Sequence, residues 1–285
     1  MKLKIFLISS LLSIFSYLSS MKIDRVILSV NGNPYYADFW PIVAKRWQEL
    51  GVKPTLALIC DKKIEIDESL GDVIRFDPIP GVIIPFQATT IRLLLPCLFK
   101  DDVCILSDID LLPIKKDFFI DAVANIPDDK FVMYTNQVHS PGTYGHSVGL
   151  IAPTCFNAAK GKVFQEIFGI NKKEDISKTI QNWFDATLKL VPSLPEDDQM
   201  YFFYITDERM LTKHLRNWTG FNSQIIKLGH NFDHLLERRK WEYNISDFKN
   251  NYYFGAHLPR PYYEHDKKEL VDKLLIELNL EHLIP

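Results

Sequence analysis

This sequence has little that points to a covalent staple, a structural zinc site or a nucleic-acid surface. Its four cysteines, Cys60, Cys97, Cys104 and Cys155, include no CxxC pair and keep no zinc-like spacing to a histidine. A chain of 285 residues buries a core without cross-links, so these residues read as buried thiols. Basic and acidic side chains nearly cancel, for a net charge of −3, and no long basic run occurs. Nucleic-acid binding rests on clustered Lys and Arg, so no nucleic-acid partner is expected. Internal repeats, low-complexity tracts and linkers are also missing, which leaves no support for a second domain. An apolar content of 47% excludes general disorder.

The first twenty residues stand apart. Lys2 and Lys4 precede an apolar and Ser run from Ile5 to Ser20, the pattern of a signal peptide or signal anchor. Leu18 before Ser20 makes a poor cleavage site, which favours a retained anchor and membrane attachment through residues 5–20. Alternatively, translation starts at Met21, the run is an over-extended start, and the protein is cytoplasmic. On either reading residues 21–285 form one unit.

Arg25 to Val30 is continuously apolar and β-branched up to Asn31-Gly32-Asn33-Pro34, as a buried parallel strand is where it meets its loop. Tyr36, Phe39, Trp40, Val43, Ala44 and Trp47 then recur at helical spacing until Gly51. Strands follow at Thr55–Cys60 and Val73–Phe76, and the spacing predicts a helix from Thr89 to Phe99. A fourth strand runs from Val103 to Leu106. This order gives an α/β fold, an open sheet with helices on both faces and ligands beyond the carboxyl ends of the strands. Further on, Lys130–Tyr134 and Ser147–Ala152 read as strands, Pro153–Phe168 and Ser177–Leu190 as helices, and Gln199–Thr206 as either. Lys267–Leu283 reads as an amphipathic helix.

Two carboxylates one residue apart, Asp108 and Asp110, follow the apolar strand Val103-Cys104-Ile105-Leu106 directly. Their side chains share one side of the sheet's carboxyl edge, a geometry that suits a hard cation such as Mg²⁺ or Mn²⁺. The plainer alternative is two solvated or capping loop acids. A carboxylate at such a strand end is expected to give charge to an ion and little to the core.

The longer stretch Thr90-Ile91-Arg92-Leu93-Leu94-Leu95-Pro96, followed by Asp102 to Asp110, resembles nucleotide-sugar transferases of the glycogenin and bacterial galactosyltransferase type. Three later segments fall in the same order as in that family. Tyr144-Gly145-His146-Ser147-Val148-Gly149-Leu150-Ile151 resembles its sugar-site strand, with His146 in place of the usual Asn or aromatic. Pro195-Glu196-Asp197-Asp198-Gln199 resembles its acidic-Gln motif. Gly255-Ala256-His257-Leu258-Pro259-Arg260-Pro261 resembles its late His segment, with Pro259 and Arg260 blurring the Gly and Lys.

The resemblance implies a GT-A fold, an open mixed, mostly parallel, Rossmann-like sheet. It also implies metal-dependent transfer of a sugar from a nucleoside-diphosphate donor to a carbohydrate, lipid or protein acceptor. It assigns Asp108, Asp110 and His257 to a Mn²⁺ or Mg²⁺ ion. Asn31, Asn33, Arg92, Ser107, Ser147, Gly149 and Arg260 would lie along the donor, with Arg92 on its phosphate or on the first Asp. Asp197 or Asp198 would stand nearest the reacting carbon. Each has a plainer reading: a turn for Asn31 and Asn33, a surface arginine for Arg92, helix-start acids for Asp197 and Asp198, a core histidine for His257.

Two rivals belong to other classes. A phosphatase of the haloacid dehalogenase type also carries Asp-x-Asp after a strand, but on the first strand and followed by Thr or Val, whereas Leu111-Leu112 follow here. A catalytically silent sugar-nucleotide or carbohydrate-binding relative would bind without turnover.

Overall fold

A computed structural model describes residues 20–60, 64–135, 152–193 and 202–285. Strands β1 (Arg25–Asn31), β2 (Lys53–Ile59), β3 (Asp72–Phe76), β4 (Val103–Leu106), β6 (Phe131–Thr135), β7 (Asn157–Lys160) and β8 (Ile225–His230) form one sheet in the order β3-β2-β1-β4-β7-β6-β8. Pairing is parallel from β3 through β4 and between β6 and β8. Only β7 runs against its neighbours. The sheet is therefore mixed and mostly parallel, as expected.

The central strands are apolar throughout because both faces are covered. Val26, Leu28 and Val30 of β1 pack on one face with Trp40, Val43 and Trp47 of α2 (Trp40–Glu49) and with Val271, Leu274 and Leu275 of α9 (His265–Glu277). The alternate residue Ile27 joins Phe86 and Ile91 of α3 (Ile84–Leu94), Val163 of α5 (Gly161–Phe168), Ile176 of α6 (Lys173–Leu190) and Met210 of α7 (Thr206–Asn217) on the other. Each fully buried Val, Leu, Ile or Phe contributes roughly 1.5–3 kcal/mol. All four cysteines are free, two of them buried and two half-buried.

Two elements differ from the sequence reading. Helix α3 begins at Ile84 rather than Thr89, because Pro85 occupies its first turn and buried Gln87 bonds the preceding loop at Ile79 and Val82. The helix expected from Pro153 to Phe168 begins only at Gly161, since Asn157–Lys160 pairs as β7 with β4 and β6 on either side. Local Ala propensity loses there to ladder bonds on both edges. At Gly161 a Cβ would lie 2.2 Å from the Phe99 carbonyl oxygen, so only glycine allows that approach.

The reading of residues 1–20 falls outside the described residues except at Ser20, and most of the expected strand Ser147–Ala152 falls outside them as well. Among the described residues, no helix is long and apolar enough to cross a membrane.

Candidate metal and donor site

Strand β4 ends beside β1, where the Ser107 N–H donates to the Ile27 carbonyl at 3.1 Å. The chain then turns, and the Leu111 N–H closes back on the Asp108 carbonyl at 3.2 Å. This turn leaves the Asp108 side chain 32% exposed and buries that of Asp110 to 4%.

A second, three-stranded sheet completes the site: β5 (Leu111–Pro113), β10 (Gly255–His257) and β9 (Leu235–Leu236), in the order β5-β10-β9. β10 is antiparallel to β5, with His257 opposite Leu111, and the Leu258 N–H donates to the Asp110 carbonyl at 2.8 Å. β9 runs parallel to β10, with Leu236 opposite Ala256. Thus the start of β5, the end of β10 and the exit from β9 share one edge. That edge presents Asp110, His257 and Arg238 together. Gly255 serves close approach rather than a turn, because a Cβ there would stand 2.9 Å from the Leu112 carbonyl oxygen.

Asp108, Asp110 and His257 each direct one ligand atom inward, and these atoms lie within 4.8 Å of one another. Two carboxylate oxygens and an imidazole nitrogen make a donor set that fits a divalent ion of the first transition row. The other ring nitrogen of His257, Nδ1, faces Glu237 Oε1 at 3.5 Å, the outer contact that orients a ligating histidine.

Three arginines close on these acids. Arg92, from the last turn of α3, contacts Asp108 and pairs with Asp207 Oδ2 at 2.6 Å. Its Nε is buried without a hydrogen-bond partner among the described residues. Asp207 also accepts from the Thr154 hydroxyl at 2.9 Å. Arg238 and Arg260 each direct Nη1 at Asp110 Oδ2, both at 3.2 Å, and Arg238 also contacts His257 Nε2. The Arg260 guanidinium lies 4.6 Å from the Tyr36 ring centroid and 5.5 Å from that of Tyr35, within cation–π range.

Similar solved structures include glycosyltransferases. A galactosyltransferase LgtC solved with donor and acceptor sugar analogues is 13% identical, over 89% of this chain and 94% of its own, with a TM-score of 0.46. The glycosyltransferase GlyE of Streptococcus pneumoniae is 15% identical over 91% of this chain, which spans 63% of GlyE, with a TM-score of 0.42. No family model matches the chain, and no curated protein matches it in sequence.

The other residues assigned from sequence divide clearly. Asn31 Oδ1 accepts from the Asn33 N–H at 3.3 Å, and Asn33 Oδ1 caps the short helix α1 (Pro34–Ala37) by accepting from the Tyr35 N–H at 3.0 Å. Their side-chain oxygens thus shape the turn that presents Tyr35 and Tyr36. Ser107 is wholly buried, with its hydroxyl 3.4 Å from the Asp108 carbonyl oxygen. Ser147, Gly149, Asp197 and Asp198 lie outside the described residues.

Sequence reasoning missed Asp207, Arg238, Glu237 and Tyr36. Asp207 and Glu208 in the first turn of α7 carried a readable signal, acids at a helix start. Arg238 carried none, because it follows a strand of two residues. Burial, with Asp207 adding to it, pushes the Glu208 carboxyl up to about 8.

Proposed function

We propose that this protein transfers a sugar from a nucleoside-diphosphate donor to a carbohydrate, lipid or protein acceptor, with Mn²⁺ or Mg²⁺ held by Asp108, Asp110 and His257. The observation that carries this reading is the convergence of those ligand atoms within 4.8 Å at the carboxyl edge of β4, ringed by Arg92, Arg238 and Arg260. Carboxylates alone would attract a cation. Carboxylates, an imidazole and several guanidiniums together suit a cation that arrives with a polyanion.

A divalent ion bound there would supply a Lewis acid opposite the leaving diphosphate. Arg260, stacked on Tyr36, reaches the same side of Asp110 and stabilises negative charge on the departing oxygen. Arg92 is clamped by Asp207 and fixes the orientation of Asp108. In the transfer, the acceptor hydroxyl oxygen bonds to the anomeric carbon and gives its proton to a carboxylate or to the departing diphosphate, and the carbon–oxygen bond to the diphosphate breaks with its electron pair. Asp197 or Asp198 is proposed as the acid beside that carbon, with Ser147 and Gly149 along the sugar.

A thermal-shift screen of sugar nucleotides with and without Mn²⁺ tests the reading, because a ligand that binds only the folded state raises its melting temperature. The expected result is a shift that needs both nucleotide and ion. Shifts with nucleotide that are the same in EDTA would refute the metal assignment.

A further inference from the structure

The charges around Asp110 are nearly balanced by the chain itself. Three guanidiniums, those of Arg92, Arg238 and Arg260, meet the carboxylates of Asp108, Asp110 and Asp207, and the Glu237 carboxylate stands behind His257. A divalent cation added to this set leaves net positive charge, and a diphosphate carries the charge needed to offset it. Of the three arginines, Arg238 alone contacts two of the three converging residues, since its Nη1 touches Asp110 Oδ2 and His257 Nε2. Arg92 is held elsewhere by Asp207, and Arg260 is backed by Tyr36.

Arg238 is also poorly settled in this place. Arg238 and Arg260 both direct Nη1 at Asp110 Oδ2, each at 3.2 Å. Two like charges share one carboxylate oxygen, so moving one of them to another anion relieves repulsion. The segment that carries Arg238 is a single turn, Arg238–Lys240, whose neighbours Arg239 and Lys240 are exposed. Local rearrangement there disturbs little of the core.

We propose that Arg238 is an internal stand-in for the divalent ion, holding Asp110 and His257 until ion and donor enter together, and then serving as a ligand of the donor diphosphate. This rests on the proposed function and adds to it a binding residue and an order of events. The ion alone must displace a guanidinium and so binds weakly. The ion with a diphosphate gives that guanidinium a new partner. Binding of the two is therefore coupled, and the coupling runs through Arg238.

The test measures Mn²⁺ binding by the electron paramagnetic resonance signal of free ion, first alone and then with UDP, GDP or ADP. Arg238→Gln removes the charge, Arg238→Met keeps the aliphatic stem should the first variant fold poorly, and Arg239→Gln is the control from the same turn. The expected result is Mn²⁺ bound alone about tenfold tighter by both Arg238 variants, with nucleoside diphosphate bound about tenfold weaker at saturating Mn²⁺. Arg239→Gln should change neither. Unchanged or weaker binding of Mn²⁺ alone by the Arg238 variants overturns the proposal. If the wild type then still binds a nucleoside diphosphate only with Mn²⁺, the functional reading stands without it. If the wild type binds neither ion nor nucleotide, both fall.

Discussion

Asp110→Asn offers a quantitative test of how this site is built. Read from sequence, a carboxylate on a strand-end loop gives little to the core, and Asp110→Asn should leave the fold intact. The geometry predicts a fold that is kept at a cost in stability. The Asp110 side chain is 4% exposed and anchors Arg238 and Arg260, whose side chains are only 20% and 22% exposed. The amide keeps an acceptor oxygen but loses the charge that justifies gathering these cations.

Hydrogen bonds to charged groups contribute about 1.5–3 kcal/mol each, and stranding a fully buried partner costs about 3–5 kcal/mol. Allowing for the partial exposure of both arginines, the variant should lose about 2–4 kcal/mol in EDTA, or roughly 5–10 °C in melting temperature. Urea unfolding with a constant slope measures the loss. A double-mutant cycle with Arg238→Gln should return a coupling of about 1–2 kcal/mol, because the second substitution removes the charge that the first one strands. A variant within about 0.5 kcal/mol of wild type, or a cycle without coupling, would refute the assignment of Asp110 as the anchor of both arginines.

Three further outcomes follow from neighbouring geometry. Asp207→Ala leaves Arg92, 11% exposed, with Asp108 as its ion-pair partner among the described residues and should cost about 3 kcal/mol in urea unfolding; a loss below about 1 kcal/mol would show that the remaining acids suffice. Glu208 has a folded pKa of about 8 against an ordinary 4.5, so the folded chain keeps a proton that the unfolded chain sheds, and stability falls as pH rises through that window. Glu208→Gln should therefore raise the melting temperature at pH 8 and change little near pH 4, and a gain independent of pH would contradict the burial argument. Gly255→Ala puts a methyl 2.9 Å from the Leu112 carbonyl oxygen, which pushes β10 from β5. It should weaken Mn²⁺ binding by about tenfold, in line with overpacking costs of about 1–3 kcal/mol, and unaltered ion affinity would show that His257 is not placed by this pairing.

Most of the main sheet was legible because its central strands are buried on both faces. Val103–Leu106 and Arg25–Val30 read as unbroken apolar runs, and Gly51 ends α2 with a φ of 79°. The pair Asp108 and Asp110 was legible for the same reason, since it directly follows such a run. The partnership of Asp110 with His257 rested on resemblance and on the few ligands that two carboxylates offer an ion; the structure supplies its cause in the pairing of β5 with β10. Strands of two and three residues leave no periodic pattern, so the small sheet was invisible, and Arg238 with it. Asn157–Lys160 was misread because Ala158 and Ala159 favour a helix locally, and only the neighbouring strands reveal otherwise. The need for glycine at 255 was not legible either, because it comes from the Leu112 backbone carbonyl against its α-carbon.

Turnover tests the central claim most directly. Wild-type protein is incubated with a panel of nucleoside-diphosphate sugars and mixed acceptors, and released nucleoside diphosphate is measured in Mn²⁺ and in EDTA, beside His257→Ala. The account predicts release from at least one donor that requires the divalent ion and falls at least about tenfold in His257→Ala, whose folded state is otherwise retained. Release that is equal in EDTA, or undiminished in His257→Ala, would contradict it. Metal-dependent donor binding with no release from any donor would instead identify a sugar-nucleotide-binding protein that does not catalyse transfer.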